Sequence, residues 1–173
     1  MKSEKGITVT SLVIYVMSFL AITVVIAMVT NFYYNNTKKL SSGATASSEY
    51  DMLNVYLLKE INHKENFVKD VNYIETNYQD EDGKTYTKEE KKIVFNTGNE
   101  YVFYKEKKED KYGKIIFINK QENKYFILSN YIEDFSIFNI DNAILEGQDL
   151  LLKTFKIKVK ILQKEYEQNY TIQ

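Results

Sequence analysis

The sequence predicts an α+β chain in which a long N-terminal transmembrane helix is packed on a C-terminal antiparallel β-sheet domain. Three observations carry this. Leu12 to Val29 contains no charged residue, in a chain that is 27% charged as a whole. Met52, Leu53, Tyr56, Leu57 and Ile61 then return at helical spacing. Beyond Tyr73 the apolar period shortens towards two, most clearly where Phe155, Ile157, Val159 and Ile161 alternate with Lys156, Lys158 and Lys160.

The first element follows from transfer energetics. Eleven residues between Leu12 and Val29 are Leu, Ile, Val or Phe, and together they favour insertion as a helix by about 3 to 7 kcal/mol. Extended back to Ile7, the run is about 23 residues long, enough to cross roughly 30 Å of hydrocarbon. Phe32, Tyr33 and Tyr34 follow, residues suited to the membrane–water interface. The small and hydroxyl residues of Leu40-Ser41-Ser42-Gly43-Ala44 read as a break or weak spot. Ser47 or Ser48 is then positioned to cap a second, amphipathic helix.

In the remainder, Ile93 to Phe95 and Tyr101 to Tyr104 flank Thr97-Gly98-Asn99 as a hairpin, and Ile115 to Ile118 supply another strand. Leu128, Ile132 and Phe135 suggest a short helical turn before a strand through Ile137 and Ile140. Two final strands around Gln163-Lys164-Glu165 form a terminal hairpin. A half-exposed sheet needs a helix over its apolar face, and the N-terminal helix is the nearest candidate.

A chain of 173 residues accommodates one folded domain plus one appended segment. The 23 basic and 24 acidic residues nearly cancel, so bulk charge points to neither nucleic acid nor anionic lipid. Without cysteine there is no disulfide framework, thiolate metal site, cysteine nucleophile or lipoprotein acylation site.

Catalytic patterns are sparse. His63 is the single histidine, and Glu60-x-x-His63 has metal-binding spacing without the second copy that would complete a site, so it reads as a solvated helix face. No nucleophile elbow or phosphate-binding glycine loop is present, and no catalytic residue is assigned. Asp80-Glu81-Asp82-Gly83 followed by Glu89 matches several positions of a calcium loop, with Asp80, Asp82 and Glu89 as ligands. Tyr78 stands where the first carboxylate belongs, and a charged exposed turn nucleated by Asp-Gly is the competing reading.

The chain's start adds a family. Met1-Lys2-Ser3-Glu4-Lys5-Gly6 is a short, net-basic leader running straight into Ile7-Thr8-Val9 and the hydrophobic helix. This resembles the class III signal of type IV prepilins and pseudopilins. The resemblance implies cleavage between Gly6 and Ile7 by a prepilin peptidase on the cytoplasmic side, N-methylation of Ile7, and a division into leader (1–6), transmembrane and stem helix (7–40) and exported α+β body (41–173). It also implies a structural filament subunit in the cytoplasmic membrane, N-terminus cytoplasmic; some pseudopilins hold calcium in a loop, which keeps the Asp80, Asp82 and Glu89 reading open beside that of a chain without a cofactor. Its partners would be other pilin or pseudopilin subunits and an inner-membrane assembly platform. Leu12, Val13, Val16, Leu20 and Val24 would pack against equivalent helices. One departure is Ser11, which stands where the family usually carries glutamate at the fifth mature position; among pseudopilins the subunit without it is typically placed at the filament tip, and a body position or a family variant that does without the pair stays open. Two other readings stay open: an unprocessed single-pass protein with an exported sensing or binding domain, and a secreted protein released at Ala46. For processing after Gly6 the glycine has a physical rationale, since a residue without a side chain lets a protease approach the backbone closely.

Overall fold

A computed structural model describes residues 9–79, 82–139, 141 and 143–172. Among them is one helix, α1 (Val9–Ile61), followed by seven strands: β1 (Val68–Gln79), β2 (Thr85–Phe95), β3 (Glu100–Lys105), β4 (Gly113–Asn119), β5 (Lys124–Phe138), β6 (Thr154–Ile161) and β7 (Lys164–Thr171). Every neighbouring pair is antiparallel and the sheet order is the chain order, a meander. The α+β arrangement expected from periodicity is therefore present. The chain divides into two compact units, with the boundary between Ser42 and Gly43.

The break expected at Leu40–Ala44 does not occur, because α1 continues through it to Ile61. A glycine inside a helix costs only about 1 kcal/mol, less than the packing of the turns that follow contributes. Gly43 also makes room: a Cβ there would stand 2.9 Å from Lys164 Nζ. Ala46, Leu53, Leu57 and Ile61, spaced by seven, four and four, form the buried stripe of α1. Met52, expected on that stripe, is 43% exposed, whereas Glu60 is buried.

The sheet supplies the other side of this core. Ile93, Phe95, Tyr101, Phe103, Ile115 and Phe117 from β2 to β4 are buried, and β6 shows the predicted alternation, with Phe155, Ile157, Val159 and Ile161 inward. Aromatic rings link the layers: Phe95 lies 5.6 Å from Tyr101 and 5.9 Å from Phe155, and Tyr50 of α1 stacks on Tyr166 of β7 at 4.3 Å. The Tyr170 hydroxyl donates to Asn54 Oδ1 at 2.9 Å, tying the last strand to the helix.

The Gly98 hairpin is where the sequence put it; the terminal hairpin forms as well, but Lys164 and Glu165, expected in its turn, are the first residues of β7 and pair with Ile161 and Lys160. Gly98 turns with φ of 85°, which suits a residue lacking a Cβ, and the terminal turn is carried by Leu162 and Gln163 with positive φ. The helical turn expected around Leu128, Ile132 and Phe135 is instead part of β5. Register shifts place extra residues in β5 against both β4 and β6. Each such bulge inverts the in–out phase, so buried residues recur at spacings other than two and imitate a helical period. Ile140, the expected end of this strand, lies outside the described residues.

The sheet curls. Val68 and Val71 at the outer edge of β1 form bridges with Leu152 and Gly147 of the β5–β6 connection. Lys91 of β2 reaches Asp134 of β5 at 3.0 Å although β3 and β4 lie between these strands in the ladder. Burial alone would push the Asp134 carboxyl up; the Lys91 hydrogen bond and charge, the Phe135 N–H and the Ser136 hydroxyl outweigh it and hold it below the ordinary carboxylate range.

Two polar groups in the core have opposite roles. Glu60 is buried, and its carboxylate accepts from Asn66 Nδ2 at 3.0 Å, from Thr97 Oγ1 at 2.8 Å and from Asn99 Nδ2, locking the end of α1 to the β2–β3 turn. The Tyr101 hydroxyl is fully buried and has no hydrogen-bond partner among the described residues; burial first, then the nearby Glu60 charge, push its phenol far above the ordinary range. Glu60→Ala should destabilise the body by about 2–4 kcal/mol, since it strands buried donors. Tyr101→Phe should stabilise it by about 1 kcal/mol, since it deletes an unpaired hydroxyl and keeps the ring. Chemical denaturation followed by circular dichroism measures both, and an unchanged midpoint in Glu60→Ala would dismiss the latch.

Candidate functional site

The candidate site is the first part of α1, taken by itself. From Val9 to Thr37 there is no charged side chain, and Lys38 is the first. The apolar residues lie on every side of the helix rather than along one stripe, which is the composition of a helix covered all round, in a membrane or in a large protein core. Leu12, Val13, Val16, Leu20 and Val24 are 51–57% exposed, as far out of the protein's own core as their uncharged neighbours. This is one helix long and apolar enough to cross a membrane. Leaving eleven such side chains in water would forfeit roughly 1.5–3 kcal/mol for each one that could be covered, so the segment requires lipid or protein around it.

The polar groups within the segment are small, and two of them are satisfied locally. Thr23 Oγ1 donates to the Phe19 carbonyl at 2.9 Å, a back-bond that hides a hydroxyl in the helix's own backbone. Asn35 Nδ2 donates to Asn31 Oδ1 at 3.1 Å one turn apart, at the end of the apolar run. Ser11 is only partly exposed and offers a hydroxyl where the prepilin pattern has a carboxylate. Phe32, Tyr33 and Tyr34 are 63–67% exposed and begin the polar end of the segment. Gly6 and Ile7, the expected processing residues, lie outside the described residues.

The other motifs separate. Glu60 is buried in the latch described above, so only the His63 half of Glu60-x-x-His63 is solvated; its Nδ1 sits 3.2 Å from the Lys64 carbonyl. What local sequence reasoning missed was the long-range pairing of Glu60 with Thr97 and Asn99. Of the calcium-loop residues, Asp80 lies outside the described residues and Asp82 is in the β1–β2 turn. Glu89 is inside β2 and buried, with Oε1 3.3 Å from Lys91 Nζ, so an ammonium already engages its carboxylate. Among the described residues no three His, Asp or Glu side chains converge as metal ligands.

The body also has a cleft of about 340 Å³ between β1 and the β5–β6 connection, with Val71, Ile137, Ile144 and Leu145 as apolar walls and Tyr73 and Lys91 at its polar side. Its size is at the lower end for small-molecule sites. Lys91 is offset by Asp134 and Glu89, so its charge is not free to meet an anionic ligand.

If the first part of α1 is held by lipid, two charges near its middle should expel it. Leu20→Arg with Val24→Arg costs about 5–7 kcal/mol, as much as the apolar run supplies. The expected outcome is loss of the chain from the alkali-resistant membrane fraction, with each single variant partly retained; full retention of the double variant would remove the membrane assignment.

Comparison of this chain with protein-family models, with curated proteins and with solved structures returns no significant match.

Proposed function

We propose that this chain is a structural minor pilin or pseudopilin subunit of a type IV filament or a type II secretion-like machine, inserted as a precursor and matured after Gly6. The observation that carries the reading is a single helix with two unlike parts. Its first part exposes apolar side chains on all sides, and its last turns are the lid of a β-sheet core. A subunit held by lateral packing of membrane helices needs the first part, and an exported body needs the second. The net-basic Met1–Gly6 leader, followed in the sequence by Ile7-Thr8-Val9 and the apolar run, adds a maturation signal of prepilin type.

In this reading the N-terminus is cytoplasmic and the body is exported. Leu12, Val13, Val16, Leu20 and Val24 meet the helices of other subunits, where van der Waals fit dominates because apolar burial gains little between helices already in lipid. Partners are the prepilin peptidase, sister subunits and the inner-membrane platform; no cofactor and no catalytic residue is assigned. Ser11 favours a position at the tip. A carboxylate in the bilayer costs about 2.5–3.5 kcal/mol unless a neighbour's amine pairs with it, and a terminal subunit lacks one of its neighbours.

N-terminal sequencing and intact mass of the chain, recovered from membranes that contain the native assembly system, should show Ile7 as the first residue, with or without one methyl group. Gly6→Val should accumulate the precursor while leaving the body folded. A mature chain that begins at Met1 would move the assignment to an anchored single-pass protein, and one that begins at Ser47 to a secreted protein.

A further inference from the structure

The meander has two outer edges, and they differ in how they are guarded. β7 carries Lys164, Glu165 and Glu167 within eight residues, the charge pattern that keeps an edge from pairing with other chains. The edge of β1 is covered by the chain itself only in its first half. There the Val71 N–H donates to the Gly147 carbonyl at 2.9 Å, and the Gly147 N–H donates to the Val71 carbonyl at 2.8 Å. The connecting segment then leaves β1, and the Leu145 N–H donates instead to the Ile137 carbonyl of β5. From Tyr73 to Gln79 every residue of β1 is exposed, and among the described residues no strand pairs with that half of the edge.

That free half reads Tyr-Ile-Glu-Thr-Asn-Tyr-Gln, rich in strand-forming residues. It has one charge, Glu75, which Lys108 pairs at 2.7 Å. Backbone direction along it is fixed by the bonds at Val71. Successive residues of an antiparallel strand address alternate sides, and the register with β2 is unbroken from Asp70 to Gln79. Tyr73, Glu75, Asn77 and Gln79 therefore turn their N–H and C=O groups outward.

We propose that this half of β1 is a docking surface for the same strand of a second copy of this chain, paired antiparallel about a two-fold axis at Thr76. A two-fold axis perpendicular to the sheet keeps each residue on its own face, so only residues of like parity can stand opposite one another. Centring on Thr76 sets Glu75 against Asn77 and Tyr73 against Gln79 of the second copy as the hydrogen-bonded pairs. It sets Ile74 against Tyr78 and Thr76 against Thr76 as the close pairs, the aromatic–β-branched and Thr–Thr combinations that stabilise neighbouring strands. Centring on Glu75 would place two carboxylates face to face. The cleft beside Val71 and Tyr73 leaves space where the end of the incoming strand arrives. The chain's own segment on the first half of the edge shows that this edge accepts an antiparallel strand. The proposal concerns the body alone and does not depend on how the N-terminus is processed.

The absence of cysteine makes the test direct. Thr76→Cys in the full chain, in lipid nanodiscs, would put two thiols at a close antiparallel pair, where Cα atoms are about 4.5 Å apart and a disulfide fits. Mild oxidation should produce a dimer from Thr76→Cys and none above background from Gln168→Cys on the guarded β7 edge. Adding Asn77→Pro to Thr76→Cys removes an outward N–H and leaves the ladder with β2 intact, so cross-linking should slow by about tenfold with an unchanged circular dichroism spectrum. Equal cross-linking of the Thr76→Cys and Gln168→Cys chains would overturn the proposal, because it would report only association through the membrane helix. Undiminished cross-linking with Asn77→Pro in place would overturn it equally. The contrast between the two thiol variants stands even where the proline variant does not fold.

Discussion

Seven antiparallel strands in chain order make a sheet that cannot cover its own apolar face, and the packing of Ala46, Leu53, Leu57 and Ile61 over that face is the constraint on which the body depends. Each large aliphatic side chain buried there contributes roughly 1.5–3 kcal/mol relative to exposure. Ala46 is the small residue of the stripe and is fully buried. The Glu60 carboxylate adds direction to what apolar burial leaves non-directional, because its oxygens must meet Asn66, Thr97 and Asn99 in one arrangement. Such a buried charge has a high desolvation cost, and it is retained only where its lone pairs find donors.

The same helix obeys a different rule in its first part. The large side chains from Val9 to Val29 are as apolar as those in the core, yet they are exposed. A helix without an apolar stripe is not matched to a sheet with one side in water, so this part calls for cover by lipid or by other protein. Because α1 is assigned without interruption from Val9 to Ile61, the change of rule falls inside a single helix rather than at a loop between two.

The sheet's curvature has its own cause. Extra residues in β5 bend that strand, and the β5–β6 connection returns to β1 to satisfy part of an edge that would otherwise be open. Lys91 and Asp134, distant in the ladder, meet because of this bend. The closure stops at Val71, and the remaining backbone of β1 is left exposed beside a cleft.

The sequence by itself determined the two ends of the problem. An uncharged run from Leu12 to Val29 can be read as a membrane-crossing helix because insertion energy is a sum over local composition, and the alternation from Phe155 to Ile161 can be read as a strand because the period of two is local geometry. The Gly98 turn was legible for the same reason. Tertiary structure decided what depends on partners far along the chain. It carried α1 through Gly43, since packing against the sheet outweighs a small local penalty. It made Leu128, Ile132 and Phe135 part of a bulged strand, since a bulge shifts the phase that sequence reading relies on. It buried Glu60, since the donors that make this tolerable lie 37 and 39 residues away at Thr97 and Asn99 and no local pattern announces them.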